Sequence, residues 1–368
     1  MELEKWFLEH GYSKNDYVDL RNSYSLKSYT DETLLKRVKQ NYKFYINMGH
    51  SKESIVKMSM RLPSLYSYNL DSLEEKVEYL KKLGYKHNDI VKMTTKFPSL
   101  YDIHENTIND KIEELQDLGY SKNAILKMTK TNPTIYGLSI ETILDKISDL
   151  KLLGYSQEDV IKMTKRLPSL LGYSFENITE KIDNLIELGY THEDVLKMTK
   201  QYATIYGLSI DNIKNKISKL EDIGYSYEDV ISMTKRLSNL FGMNLNSINK
   251  KIRDLEKLGY THEEVLHMTK ILPSFYSLSI DNLKEKFSYY DSIDLHELPI
   301  KTPSYMMQSL ILSKSRYNFY IDRGEEVSID SYNKLFIREK EFIRKYGLTN
   351  KEVIDKYYEG EKLNDRTL

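Results

Sequence analysis

The chain has 368 residues, of which 40% are hydrophobic and 30% charged, with a formal net charge of −1. It has no cysteine, which excludes disulfides and thiolate metal sites, and no apolar run approaches the ~18 residues that span a bilayer. A near-zero net charge gives no overall pull toward nucleic acid, so any such attraction has to come from where the charges are placed.

Met1-Glu2-Leu3-Glu4 has neither a signal-peptide core nor an Arg-rich, acid-poor transit composition. The expected location is therefore the cytoplasm or another soluble intracellular compartment, with an organelle left open. Gly11-Tyr12-Ser13 begins a repeat-like helix with Ser13 as N-cap and Asp16 three residues later. The step from Gly11 to Gly49 is irregular, so residues 1–47 read as an N-terminal helical cap.

From residue 48 to 290 the sequence keeps a 35-residue period. Gly49, Gly84, Gly119, Gly154, Gly189, Gly224 and Gly259 mark it, as do Pro63, Pro98, Pro133, Pro168 and Pro273, with Ala203 and Ser238 in the proline's place. Gly137, Gly172, Gly207 and Gly242 keep step, and so does a ladder from Lys76 through Lys111, Lys146, Lys181, Lys216 and Lys251 to Lys286. In one repeat, Ser156 caps a first helix running to about Arg166, with Val160, Met163, Thr164 and Leu167 on one face. Pro168 ends it, because the residue before proline avoids the α region. A short turn follows, and Ser174 caps a second helix with the stripe Phe175, Ile178, Ile182 and Leu185. Gly189 stands where a left-handed C-cap is needed. Neither helix buries its stripe alone, so the expected fold is all-α, an α-solenoid of about seven such repeats. Residues 291–368 read as a C-terminal helical cap: Asp294 replaces the next glycine, Pro303-Ser304-Tyr305 echoes the turn, and two or three longer helices follow between Met306 and Gly347. No Gly-, Ser- or Pro-rich linker interrupts the chain, which predicts one continuous solenoid; a monomer is expected.

The run Lys162-Met163-Thr164-Lys165-Arg166-Leu167-Pro168-Ser169-Leu170-Leu171, followed by Ser-x-Glu-Asn-Ile and Leu-Gly-Tyr, resembles the mitochondrial transcription termination factor (mTERF) family. The likeness spans roughly residues 50–290. Arg316-Tyr317, Gly324, Phe336, Phe342 and Tyr346 are similar to that family's closing segment. The resemblance implies two helices and a short 3₁₀ turn per repeat, a curved superhelix, and binding of duplex DNA or structured RNA along a basic concave surface, with regulation of transcription as the role.

The charges are placed unevenly. Lys130, Lys165, Lys200, Lys235 and Lys270 hold one position near the end of the first helix, and Lys92, Lys127, Lys162 and Lys197 hold another three residues earlier. Acids gather at the start of the first helix (Glu158, Asp159) and along the second (Glu176, Glu180, Asp183, Glu187). Bases at a helix end suit the macrodipole; a lysine row repeating once per unit also suits a phosphate backbone. Beside it one position varies: Arg61, Lys96, Thr131, Arg166, Gln201, Arg236 and Ile271. Either it has drifted as a free solvent position, or its Arg, Lys, Thr and Gln side chains contact bases. The repeated tyrosines, among 31 in the chain, suit packing between repeats with the hydroxyl at the surface, or base stacking.

No enzyme is expected. His262 and His267 lie at i and i+5 and cannot share a helical face as a zinc-protease pair does at i and i+4. No phosphate-binding glycine loop is present, and no metal or other cofactor is expected. The partner expected is nucleic acid, double-stranded DNA ahead of RNA, without membrane contact. The alternative is a protein-interaction scaffold holding a peptide or partner in its groove.

Overall fold

A computed structural model describes residues 2–359, and every regular element among them is helical. The chain is an α-solenoid built from the expected repeat. In the one chosen above, the helix Gln157–Arg166 leads into a 3₁₀ turn, Pro168–Gly172, and then the helix Phe175–Glu187. Ser156 and Asp159 form a reciprocal capping box, as do Ser13/Asp16, Thr191/Asp194, Ser226/Asp229 and Thr261/Glu264. Ser174 caps the second helix by accepting from the Asn177 amide. At Gly154 the backbone is left-handed (φ +105°), and a Cβ there would lie 3.0 Å from the Leu196 side chain, so two separate constraints select glycine.

Proline accounts for only part of the break between helix and turn. Leu167 before Pro168 has φ −127° and ψ 79°, outside the helical region. Tyr202 before Ala203 and Leu237 before Ser238 adopt nearly the same angles without a proline. What these positions share is burial: Pro133, Pro168, Ala203, Ser238 and Pro273 all pack inside, where only a compact residue fits. Proline lowers the cost of a kink that packing imposes.

The core is a stack of equivalent side chains. Val160, Met163 and Thr164 from the first helix, Leu170 and Leu171 from the turn, and Ile178, Ile182 and Leu185 from the second helix are all buried. The buried threonine serves as a junction. Thr164 Oγ1 donates to the Val160 carbonyl (2.7 Å) and shares a hydrogen bond with Tyr120 Oη (2.7 Å). Tyr85 likewise meets Thr129 (2.5 Å) and Tyr136 (2.6 Å), Tyr155 meets Thr199 (2.6 Å) and Tyr206 (2.7 Å), and Tyr225 meets Thr269 (2.6 Å) and Tyr276 (2.5 Å). Tyr12 makes the same clip to Ser59 and Tyr66. The rings pack between repeats as expected. Their hydroxyls, however, are buried in clips that tie one repeat to the next, rather than at the surface. Burial raises the phenol pKa of Tyr12 to about 12. In the second clip His50 takes the tyrosine's place, 3.0 Å from Thr95 Oγ1 and 3.4 Å from both Thr94 Oγ1 and Tyr101 Oη, and burial holds its pKa down to about 4.

The lysine ladder is a second set of ties. Lys76, Lys181, Lys216 and Lys251 donate to the carbonyls of Ile103, Leu208, Met243 and Leu278, each 27 residues on in the next repeat. Burial depresses their ammonium pKa values. Lys111 and Lys146 instead pair with Glu114 (2.5 Å) and Asp149 (2.7 Å). A charged hydrogen bond to a carbonyl contributes about 1.5–3 kcal/mol, so Lys76, Lys181, Lys216 and Lys251 serve cohesion between repeats, whereas Lys111 and Lys146 pair within their own helices.

The chain divides into two compact bodies, Met1–Leu208 and Ser209–Leu368. In the N-terminal body the helices Glu2–Glu9, Lys14–Asn22 and Asp31–Asn47 precede the regular repeats. In the C-terminal body Asp294 is the one non-glycine residue with positive φ (56°) among the described residues, keeping the left-handed cap where glycine is missing. The next first helix is cut to Leu298–Lys301, and the turn Pro303–Met307 arrives five residues early. Lys286 compensates by reaching the nearer carbonyls of Met306 (2.5 Å) and Gln308 (2.8 Å). The tail then has one helix of normal length, Leu310–Asp322, and two short ones, Glu339–Tyr346 and Asn350–Tyr357, so its helices are shorter than expected. Arg316, 1% exposed, closes the end: it donates to the carbonyls of Leu335 (2.9 Å) and Ile337 (2.7 Å) and to Asn350 Oδ1 (2.8 Å), and stacks over Phe342. No helix of the described residues is long and apolar enough to cross a membrane.

Candidate nucleic-acid interface

Successive first helices within a body pack directly on one another, so equivalent side chains form rows across them. The charge on these rows differs from that on the second helices. In the N-terminal body the first helices Lys52–Arg61, His87–Lys96, Lys122–Thr131, Gln157–Arg166 and His192–Gln201 carry thirteen Lys and Arg against six Asp and Glu. Its second helices Leu70–Leu83, Glu105–Asp117, Ile140–Leu152 and Phe175–Glu187 carry seven against sixteen. The near-neutral total therefore conceals two strongly opposed surfaces. In the C-terminal body the first helices Tyr227–Arg236 and His262–Ile271 carry three against four, and the second helices Ile210–Glu221, Leu245–Glu256 and Ile280–Ser292 eight against seven.

The lysine row near the helix end is largely engaged within the protein. Lys130, Lys200 and Lys270 reach back one repeat to Asp89 (3.4 Å), Asp159 (2.9 Å) and Asp229 (3.4 Å), the third residue of the preceding first helix. Lys200 also lies 5.8 Å from the Tyr155 ring. Lys235 is half-buried. Lys165 is the exception. Ala124 stands where its acid would be, and Lys165 is exposed with no ion pair among the described residues.

The row three residues earlier faces solvent. Lys92, Lys127 and Lys197 are exposed and make no ion pair among the described residues, whereas Lys162 holds Glu158 at 2.8 Å on its own helix, with both side chains open to water. Such an exposed pair contributes little and gives way easily. Lys57 occupies the same position one repeat before Lys92 and is equally exposed. The 35-residue period pointed to it, but the expected set began at Lys92. In the C-terminal body this row continues as Ser232 and His267, so it ends where the polarised surface ends.

The variable position lies at the end of the first helix, exposed throughout. Three of its members reach the same position of the next repeat. Lys96 donates to the Thr131 carbonyl (3.1 Å), Arg166 to that of Gln201 (2.5 Å), and Arg236 to those of Ile271 (2.5 Å) and Lys270 (2.8 Å). Thr131 Oγ1 donates back to the Lys127 carbonyl (3.0 Å). Arg61 makes no such bond among the described residues.

The two histidines considered as a metal pair serve other ends. His262 uses both ring nitrogens on Glu256 (2.8 Å) and the Ile223 carbonyl (3.0 Å), and His267 stays exposed. Among the described residues no cluster of His, Asp and Glu could hold a metal ion.

A family model described as mTERF matches the chain over residues 17–148, 139–255 and 176–343, three overlapping stretches covering most of its length. No curated protein matches it.

Proposed function

The chain belongs to the mTERF family, which implies a nucleic-acid-binding helical-repeat protein, and from that premise we propose that it binds duplex DNA, in the service of transcription, through the first-helix face of its N-terminal body. The observation that carries the reading is the segregation of charge: a basic first-helix surface backed by an acidic second-helix surface in a chain of net charge −1. A lysine row at helix spacing, roughly 8–10 Å per repeat, follows a phosphate backbone and gains affinity by releasing counterions. The proposed contacts are Lys57, Lys92, Lys127, Lys162 and Lys197, with Lys165 beside them. Duplex is favoured over single strand because stacking on bases needs exposed rings. The repeated tyrosines Tyr85, Tyr120, Tyr136, Tyr155 and Tyr206 are buried.

Five or six phosphate contacts give a slope of log affinity against log salt of roughly −5 for duplex DNA. Titration of a short duplex at salt concentrations between 50 and 200 mM measures it. A slope near zero would remove the phosphate row from the account.

A further inference from the structure

We infer that the variable position carries no repeat-by-repeat code for bases, because Lys96, Arg166 and Arg236 there are committed to joining repeats; this rests on the nucleic-acid reading above. An arginine reads a base by turning both of its terminal NH groups to one base edge. Arg236 instead turns NH1 to the Ile271 carbonyl, NH2 to the Lys270 carbonyl and Ser232 Oγ, and Nε to the Ser232 carbonyl. Arg166 and Lys96 make the corresponding reach to Gln201 and Thr131. The last carbonyls of a helix have no intrahelical partner and carry partial negative charge, so a cation from the preceding repeat satisfies them.

This clamp explains the variation. From Lys96 onward the position alternates between a cation and a non-cation: Lys96, Thr131, Arg166, Gln201, Arg236, Ile271. Each cation clamps a neighbour that bears no charge there. Arg61 faces a second cation, Lys96, and no clamp forms between them. The alternation has a period of two repeats, and from Tyr136 onward so does a buried position in the turn: Tyr136, Leu171, Tyr206, Phe241, Tyr276, with Tyr66 and Tyr101 before them. Tyr136, Tyr206 and Tyr276 join the buried hydroxyl clips, whereas Leu171, lacking a hydroxyl, leaves Tyr120 with Thr164. A code for bases has no reason to repeat inside the core. A code for how neighbouring repeats interlock does. What is left to touch nucleic acid is the unclamped Arg61 and the lysine row, whose ammonium groups act as point charges on phosphate.

The test compares full-length protein with an Arg166→Ala/Arg236→Ala variant against a panel of duplexes of one length and different sequence, at one low salt concentration. The expected result is Kd values within about threefold across the panel for both proteins, and a lower Tm for the variant. An Arg166→Lys/Arg236→Lys pair, which keeps the clamp's charge and removes the guanidinium fork, gives the same comparison should the alanine variant not fold. A duplex preferred tenfold or more by the unaltered protein, with the preference erased in either variant, would overturn the inference while leaving nucleic-acid binding in place. Failure to bind any duplex would take down the nucleic-acid reading and this inference together.

Discussion

In the N-terminal body, neighbouring helices of opposite charge face apart, and the outward lysine row of the first helices is largely free of partners. In the C-terminal body the same repeat carries Ser232 and His267 in that row, and the second helices gain Lys214, Lys250 and Lys284 on their exposed faces. Both bodies keep the caps, the buried threonine and the lysine ladder. Cohesion between repeats and surface charge are thus set by different positions, and one can change while the other stays fixed. Four experiments probe the contrast.

The largest effect is expected from charge reversal. Lys92, Lys127 and Lys197 changed together to Glu should weaken duplex binding by about 100-fold or more, since phosphate contacts dominate affinity. The same number of reversals at Lys214, Lys250 and Lys284 should cost less than about threefold, because these lysines stand on second helices outside the proposed phosphate row. Equal losses, measured by fluorescence anisotropy, would erase the distinction between the bodies.

Next comes the closing residue of the C-terminal body. Arg316→Met strips the Leu335 and Ile337 carbonyls of their donor and should cost about 3 kcal/mol. Hydrogen exchange should show protection lost over residues 310–357 and retained before residue 208. Loss spread evenly over both bodies would mean that they unfold together.

Acid should act on the N-terminal body first. His50 has a pKa near 4 in the fold against 6.5 for a free histidine, so the folded state favours the neutral ring. Its contribution is complete above pH 6.5 and is lost as pH falls from 6.5 toward 4, amounting to on the order of 3 kcal/mol. The groups facing it are Thr94, Thr95, Tyr101, the edge-on Tyr45 ring and the His87 side chain. The histidines of the C-terminal body, His262, His267 and His296, are exposed. Thermal melts from pH 7 to 4 should show the step, and His50→Tyr, restoring the clip used elsewhere, should abolish it.

The smallest effect concerns the one lysine without its acid. Ala124→Asp supplies the partner that Lys130, Lys200 and Lys270 have, and should draw Lys165 inward. Duplex binding should weaken two- to threefold; unchanged affinity would place Lys165 outside the interface.

Periodicity was enough to specify the helices of the regular repeats and their caps, because Ser156, Ser174 and Gly189 act within their own segment and need no tertiary partner, whereas the kink before Ala203 and Ser238 is set by packing. The family likeness was equally local, carried by the run from Lys162 to Leu171. The roles of the polar repeats were not legible. A lysine at position 76 and one at position 92 look alike in sequence, yet the first is buried against a carbonyl 27 residues away and the second meets only water. Lys200 and Lys165 differ solely because residue 159 is Asp and residue 124 is Ala, 41 residues earlier in each case. Arg166 looks like a free side chain in sequence, yet it donates to the Gln201 carbonyl 35 residues on. The sequence determined by itself what depends on neighbours within about one helical turn: period, caps, fold class and the helix limits of the regular repeats. The tertiary structure decided which charges are free, because a side chain's availability depends on what the next repeat places beside it.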